Sequence, residues 1–232
     1  MPTVPLQRLT GLLYLLTHVT SVGAVVLYGT IAGPGAPLAG RGAVLTGGLL
    51  EIVLALAVTG TGITLFALLH RQAPGIAAGY LALRTLEASV ILAGVVVLLP
   101  IVAEPSSAGS PGLSSEVVAA LRLVHDWTFL IGPGLVVPVH TVLLAAHLWR
   151  RTSLPRFIPL LGLVGGPLVG ASNLVQLYGG PQIAVAALPV FAWEISWAVW
   201  LILSRGRLGT ADPYRASSAS MAATTAGSSG VV

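Results

Sequence analysis

The sequence predicts an all-α fold, a polytopic transmembrane helical bundle of about six spans, and three observations support that class. Only 8% of the 232 residues are charged, whereas a soluble domain carries about 25% charged residues. The mean hydropathy is +0.93. Six long apolar runs follow one another, each near the ~20 residues that a helix needs to cross a ~30 Å hydrocarbon core. The chain has too little charge to cover a water-facing surface, so a lipid bilayer is its expected partner.

The six predicted spans form one domain over residues 1–203. They cover about residues 10–31, 43–69, 77–101, 127–149, 157–178 and 184–203, with Gly- and Pro-rich turns between most of them. The first run exceeds the roughly 7–15 apolar residues of a signal peptide, which favours a retained helix. Residues 114–126 are less apolar and predict an interfacial helix before the fourth span. Residues 204–232, rich in Ser and Ala, predict a disordered cytoplasmic tail.

The arginines predict the orientation of the chain. All eleven basic residues are arginines, and the absence of lysine suggests GC-rich coding and a bacterial source. With the N-terminus inside, eight arginines fall in cytoplasmic segments, Arg41 and Arg122 fall outside, and Arg84 lies within a span. Positive residues accumulate in cytoplasmic loops, so both termini are expected on the cytoplasmic side of a bacterial inner membrane. The scattered arginines form no basic patch, so no nucleic-acid partner is predicted.

Several kinds of chemistry are excluded or lack support. The chain has no cysteine, which excludes disulfides, thiolate metal sites, iron–sulfur clusters and cysteine nucleophiles. No G-x-S-x-G, Walker or dinucleotide-binding fingerprint is present. The histidines and glutamates of the spans come from separate helices without the spacing of a known metal or haem site, so neither a metal nor a cofactor is predicted. His125-Asp126 resembles a catalytic pair only superficially, and a helix cap is the favoured interpretation.

Ionisable residues inside the spans are the most informative feature. A charge at the bilayer centre costs several kcal/mol, so such residues usually face the interior of a bundle. At about 1.5 Å per residue, six polar residues from five helices lie about 10–18 Å from the cytoplasmic edge. They are His18, Glu51, Arg84, Glu87, His140 and Glu194.

Two interpretations of this layer stay open. In the first, Arg84 and Glu87 pair at i, i+3 on one helix face, and the other polar residues only specify helix packing. In the second, the six residues line a polar cavity for a proton, a metal or a ligand. The three glutamates are expected to converge on Arg84. Because one arginine cannot neutralise three carboxylates, burial then favours a protonated glutamate.

Glycines in the fifth predicted span indicate a packing surface. Gly162, Gly166 and Gly170 are spaced by four residues and form one flat helix face, which lets a neighbouring backbone approach closely. In the fourth span, the Gly-Pro-Gly sequence at 132–134 and Pro138 predict a kink, because proline removes an intrahelical hydrogen bond. Broken helices mark some transporter sites. No corresponding interruption occurs in a second half of the chain, so the transport interpretation of this kink has little support.

Several stretches resemble a bacterial membrane family called domain of unknown function 4386. The stretches that carry the resemblance are 10–15 (TGLLYL), 17–20 (THVT), 50–52 (LEI), 79–80 (GY), 84–87 (RTLE), 125–129 (HDWTF), 154–159 (LPRFIP), 161–162 (LG) and 193–194 (WE). Together they cover most of residues 9–203. The resemblance implies a six-helix integral membrane protein, and it implies no activity, cofactor or catalytic residue.

The leading functional hypothesis is a membrane protein that binds or moves a small solute or a proton through its polar midplane cluster. The first alternative is a structural or accessory membrane protein whose buried charges only specify helix packing. The second is an intramembrane enzyme, which has the least support because it needs a convergent nucleophile or metal. A small-molecule ligand is compatible with the sequence, but the sequence specifies neither a substrate nor an oligomeric state.

Overall fold

The computed structural model describes residues 3–29, 40–103, 113–151 and 154–204 of the chain, and these residues contain helices but no strand. The α-helices are α1 (Thr3–Tyr28), α2 (Arg41–Leu69), α3 (Pro74–Leu98), the short α4 (Pro100–Ala103), α5 (Ser115–Ile131), α6 (Val137–Arg151), α7 (Phe157–Leu177) and α8 (Leu188–Leu203). A π-helical turn (Gly132–Val136) joins α5 to α6, and a 3₁₀ turn (Ala184–Ala187) precedes α8.

Six helices within the described ranges are long and apolar enough to cross a membrane. They are Val4–Tyr28, Arg41–Leu69, Pro74–Val102, Ser115–Arg150, Phe157–Leu177 and Ala184–Leu203. This result confirms the predicted all-α class with about six spans. Large apolar side chains such as Leu56, Ile63 and Val96 are exposed on the outer surface. A lipid bilayer accounts for that exposure, because lipid tails are as apolar as these side chains.

The fourth spanning helix is longer than the sequence predicts. It runs without a break from Ser115 to Arg150, whereas the sequence predicts an interfacial helix over 114–126 and a span that starts at 127. Within this helix, His125 is buried against Glu51 of α2. Ser114 caps this helix, since its hydroxyl accepts a hydrogen bond from the Val117 amide at 3.4 Å. His125 is therefore an interior residue and not the cap that the sequence suggests.

The helices pack mainly on their neighbours in sequence, and the last one closes the bundle. Helix α1 packs on α2 and α2 on α3, while α6 packs on α7 and α7 on α8. Helix α3 also contacts α5 and α6, and α8 returns to α1. The largest apolar cluster draws on several helices and includes Tyr14, Leu65, Tyr80, Leu144 and Trp197. This arrangement brings the inner faces of α1, α2, α3, α6 and α8 together. Of the predicted tail, residues 204–232, all but Ser204 lies outside the described residues.

A π-helical turn occupies the position where the sequence predicts a kink in the fourth span. It contains Pro133, which lacks the amide hydrogen that a regular α-helix uses. The carbonyl oxygen of Gly134 accepts a hydrogen bond from Asn173 Nδ2 of α7 at 2.7 Å. A side chain thus satisfies a backbone group in the irregular segment, as the interior of a membrane requires.

The glycine face of α7 lies against α6 and α8. A Cβ atom on Gly166 would be 2.7 Å from Val142 Cγ2 and 3.1 Å from the Pro138 carbonyl oxygen. A Cβ atom on Gly162 would be 2.8 Å from an α6 side chain and 2.9 Å from an α8 ring, and one on Gly170 would be 3.2 Å from Pro138. These distances support the predicted packing role, because any larger side chain would have to push the helices apart.

Candidate functional site

Arg84 of α3 is the centre of a buried polar cluster. Its side chain is 2% exposed. Its Nε donates a hydrogen bond to Thr61 Oγ1 of α2 at 2.9 Å, and its Nη1 donates to Glu87 Oε2 at 3.0 Å. The Thr61 hydroxyl can accept this bond because its own hydrogen goes to the Val58 carbonyl oxygen at 2.6 Å. The Arg84–Glu87 pair is the i, i+3 pair that the sequence suggests.

His140 of α6 completes the partners of Glu87. Its Nε2 lies 3.0 Å from Glu87 Oε2 and 3.5 Å from Arg84 Nη1. The carboxylate only accepts hydrogen bonds, so this distance requires a hydrogen on Nε2. Glu87 therefore has two close donors from two helices. The other ring nitrogen, Nδ1, is buried and has no hydrogen-bond partner among the described residues.

Glu194 of α8 and His18 of α1 join the cluster through longer contacts. Glu194 Oε1 lies 3.8 Å from Arg84 Nη1, and Glu194 Oε2 lies 3.5 Å from His18 Nε2. The Glu194 side chain is 14% exposed, against 5% for Glu87. Of the two carboxylates beside Arg84, Glu194 is therefore the less tightly held and the more accessible.

His18 directs one ring nitrogen toward the Tyr14 carbonyl oxygen and the other toward Glu194. Its Nδ1 lies 2.9 Å from the Tyr14 carbonyl oxygen, which can only accept, so Nδ1 carries a hydrogen. In a neutral imidazole, Nε2 would then present a lone pair to Glu194 Oε2. Two lone pairs repel each other at 3.5 Å. A proton on Nε2 or on the carboxylate would turn this contact into a hydrogen bond, so the pair is a candidate proton-binding group.

Two tyrosines cover the other side of the guanidinium group. The Arg84 Cζ atom lies 5.2 Å from the ring centroid of Tyr14 and 5.8 Å from that of Tyr80, which is within cation–π range. The two tyrosine hydroxyls are hydrogen-bonded to each other. Arg84 Nη2 is buried and has no hydrogen-bond partner among the described residues. We call the set Tyr14, His18, Thr61, Tyr80, Arg84, Glu87, His140 and Glu194 the Arg84 cluster.

A cavity of about 260 Å³ adjoins this cluster. Arg84, Glu87, Glu194 and His18 line its polar end, and the rest of its wall is mostly apolar. The apolar lining residues are Val22, Leu54, Val58, Ile91, Pro133, Val137, Val169, Ala187, Val190 and Phe191. Val22 of α1 and Phe191 of α8 are also exposed on the outer surface. The cavity therefore reaches the apolar exterior of the bundle between these two helices.

Glu51 does not take part in the Arg84 cluster, contrary to the expected convergence of three glutamates. It is buried and pairs with His125 of α5, whose Nε2 lies 3.2 Å from Oε1 and 3.1 Å from Oε2. The expectation used depth along the membrane, which does not fix the direction in which a side chain faces. Depth estimates alone could not separate Glu51 from Glu87.

The sequence interpretation also missed partners of the cluster. Tyr14 precedes His18 by four residues, and Tyr80 precedes Arg84 by four, so each tyrosine lies one helical turn from a predicted residue. That spacing is a usable signal. No comparable signal marks Thr61, because threonines are common in these spans and bond to their own helix backbone.

Carboxylate and imidazole side chains surround Arg84 in the cluster. Within the described ranges, no three His, Asp or Glu side chains are grouped so that they could hold a metal ion. The Arg84 guanidinium group occupies the position between Glu87 and Glu194 where a cation would otherwise lie. The cluster instead combines an always-charged arginine, two carboxylates and two histidines, which is a set suited to hydrogen bonding and proton exchange.

Comparison with known proteins identifies a family but no activity. A family model described as domain of unknown function (DUF4386) matches residues 9–204, which is most of the chain and includes every residue of the Arg84 cluster. A search of curated proteins and a search of solved structures return no match. The match agrees with the resemblance that the sequence motifs carry. The chain therefore belongs to the DUF4386 family of helical membrane proteins.

Proposed function

We propose that this protein binds or moves a small solute, together with a proton, at the Arg84 cluster inside the membrane. The observation that carries this proposal is the cavity of about 260 Å³ at the polar end of which Arg84, Glu194 and His18 meet. A buried arginine nitrogen without an acceptor costs free energy unless a ligand or water supplies one. Arg84 Nη2 is such a nitrogen among the described residues.

The shape of the cavity suggests the class of solute. One end carries hydrogen-bond donors and carboxylates, while the remaining wall is mostly apolar, apart from Thr17 and Ser21, and reaches the bundle surface between Val22 and Phe191. A small amphiphile with one acceptor group fits both parts, because its polar end can take the Arg84 hydrogen bond and its apolar part replaces lipid contact. The volume restricts the solute to a molecule smaller than a membrane lipid.

The contacts divide the cluster into two parts with different roles. Glu87 receives short hydrogen bonds from Arg84 and His140, so it holds the arginine in place. Glu194 has only longer contacts and lies at the cavity wall with His18. The His18–Glu194 pair is therefore the part that exchanges a proton when a solute enters or leaves.

An infrared pH titration of the purified protein in detergent tests the proton part of this proposal. In wild type, the carboxylic C=O stretch of Glu194 should change with pH, and Glu194→Gln should remove that change. Glu116→Gln is the matched control, because Glu116 is exposed in the first turn of α5. Identical pH-dependent spectra from wild type and Glu194→Gln would contradict the proposal.

The proposed location is the inner membrane of a bacterium, with multiple passes and both termini in the cytoplasm. The excess of arginines in the segments assigned to the cytoplasm supports this orientation. Reporter fusions after Leu69, Ile101, Arg151 and Tyr178 should give inside, outside, inside and outside signals in turn. A periplasmic signal from a fusion at the C-terminus would reverse the orientation.

A structural or accessory role is the second candidate, and one observation favours it. Arg84 connects α3 to α2 through Thr61, and Glu87 connects α3 to α6 through His140. Interhelical hydrogen bonds of this kind stabilise helix packing in membranes by about 0.6–2 kcal/mol each. Under this alternative, Glu194→Gln and Glu87→Gln would both reduce stability, and neither would alter proton binding.

A further inference from the structure

A second cavity lies beside the pair formed by Glu51 and His125, which we call the Glu51–His125 pair. Its volume is about 450 Å³. Its lining includes Tyr28, Glu51, Arg122, His125, Asp126 and Gln182. The Asp126 side chain is 54% exposed and Gln182 is exposed, so the cavity reaches the surface. Unlike the first cavity, it has polar amide and charged side chains at that surface.

An apolar layer separates the Glu51–His125 pair from the Arg84 cluster. On α2 the layer consists of Leu54, Ala55 and Val58, which lie between Glu51 and Thr61. On α3 it consists of Ala88 and Ile91, and α5 adds Phe129. Glu51 and Thr61 are ten residues apart on one helix, which corresponds to about 15 Å. The two polar groups are thus not in contact.

The ring nitrogens of His125 both face carboxylate oxygens. Nε2 lies 3.1 Å from Glu51 Oε2, and Nδ1 lies 3.6 Å from Asp126 Oδ1. When the imidazole is neutral and Nε2–H donates to Glu51, Nδ1 presents a lone pair toward Asp126. A second proton on Nδ1 converts this unfavourable contact into an ion pair. The arrangement therefore suits an imidazolium that carries a hydrogen on each nitrogen.

The groups around the pair come from all the helices that pack on it. Helix α1 contributes Tyr28, whose ring meets the His125 ring edge-on at 5.4 Å between centroids. Tyr28 lies near Glu51, yet its buried Oη makes no hydrogen bond of normal geometry among the described residues. Helix α3 brings Gly94 close to His125 and adds no charge there. Arg122 and Asp126 of α5 are the remaining charged groups at this cavity.

We propose that the Glu51–His125 pair is a second proton-binding site, independent of the Arg84 cluster. A proton from water at the exposed Asp126 end of the cavity adds to His125 Nδ1. One O–H bond of hydronium breaks, one N–H bond forms, and water leaves. The buried Glu51 carboxylate balances the new charge, so the pair becomes a carboxylate and an imidazolium. The apolar layer keeps this proton from passing freely to the Arg84 cluster.

Nitrogen-15 NMR of protein labelled only at histidine tests this site directly. We expect the His125 signal, assigned by its loss in His125→Gln, to be that of an imidazolium at neutral pH. His70, which is exposed, gives a second histidine signal in the same spectra and is the internal reference for the comparison. Glu51→Gln removes the balancing charge and should convert His125 to a neutral tautomer, with loss of the imidazolium signal. A neutral His125 in wild type, or an imidazolium that persists in Glu51→Gln, would overturn the proposal.

Two further variants keep the test decisive. If Glu51→Gln does not fold, Asp126→Asn probes the same claim, since it removes the carboxylate that faces Nδ1 and should reduce the imidazolium fraction of His125. An unchanged fraction in Asp126→Asn would overturn the proposal. Glu194→Gln should leave the His125 signal unchanged, because the apolar layer separates the two sites. If the imidazolium fraction of His125 changed in Glu194→Gln, the two sites would be coupled and the proposed independence would be overturned. The proton chemistry proposed for the Arg84 cluster would stand.

Discussion

The Arg84 cluster and the Glu51–His125 pair are both buried and ionisable, but they are built differently. The cluster takes side chains from five helices around an always-charged arginine, and two hydrogen bonds and two cation–π contacts fix that arginine in place. The pair joins only α2 and α5 and contains no permanent cation in its central contact. The difference indicates that the cluster combines a fixed Arg84–Glu87 pair with a His18–Glu194 pair that exchanges a proton. The Glu51–His125 pair, by contrast, depends on a single proton.

Removal of the arginine should have the largest effect. Arg84→Met leaves Glu87 buried without its cation, and loss of one partner of a buried ion pair costs about 3–5 kcal/mol. We therefore expect a large fall in thermal stability in detergent. Arg71→Met is the control, because Arg71 is exposed in the turn between α2 and α3. If Arg84→Met were as stable as Arg71→Met, Arg84 would not be the residue that holds the buried cluster together.

A disturbance of helix packing behind the cluster should have the next largest effect. Gly166→Leu puts a side chain where a Cβ alone would already be 2.7 Å from Val142. Overpacking of this kind costs about 1–3 kcal/mol, and it would displace α6, which carries His140. Ala171→Leu on the exposed side of α7 is the matched control and should have little effect. Equal thermal stability of the two leucine variants would place the close helix contact elsewhere.

The two glutamates of the cluster should differ in a smaller but informative way. Glu87→Gln weakens short bonds from two charged or polar donors, each of which contributes about 1.5–3 kcal/mol when charged and about 1 kcal/mol when neutral. Glu194→Gln affects only contacts of 3.5 Å and longer, so it should cost about 0.6 kcal/mol, the average for interhelical hydrogen bonds in a membrane protein. Thermal unfolding of both variants would measure this difference. A larger loss of thermal stability for Glu194→Gln than for Glu87→Gln would show that Glu194, and not Glu87, holds Arg84 in place.

Hydropathy predicts the spans because a membrane-spanning helix needs only a continuous run of apolar residues, which can be read along the sequence without knowledge of helix contacts. The six runs correspond to the six candidate membrane helices, and the depth of polar residues follows from the rise per residue. Arg84, Glu87, His140, Glu194 and His18 are all brought together, as their similar depth suggested.

Side-chain direction was less accessible from the sequence. Glu51 has a similar estimated depth but faces His125, because an apolar layer fills the space toward Arg84. The sequence predicts His125 in an interfacial helix, because the polar residues around it lower the local hydropathy. The structure shows one continuous helix from Ser115 to Arg150. Rotation about a helix axis depends on which helices become neighbours, and a single sequence does not specify that. The pairing of Glu51 with His125 therefore required the structure.

The most direct test of the proposed function is an experimental density map of the bundle in lipid nanodiscs. The account predicts a non-protein molecule in the cavity of about 260 Å³, with a polar atom within about 3 Å of Arg84 Nη2. Its apolar part should lie toward Val22 and Phe191. A cavity that holds no such molecule, with Arg84 Nη2 hydrogen-bonded to protein atoms alone, would contradict the account and leave the packing role as the explanation of the cluster.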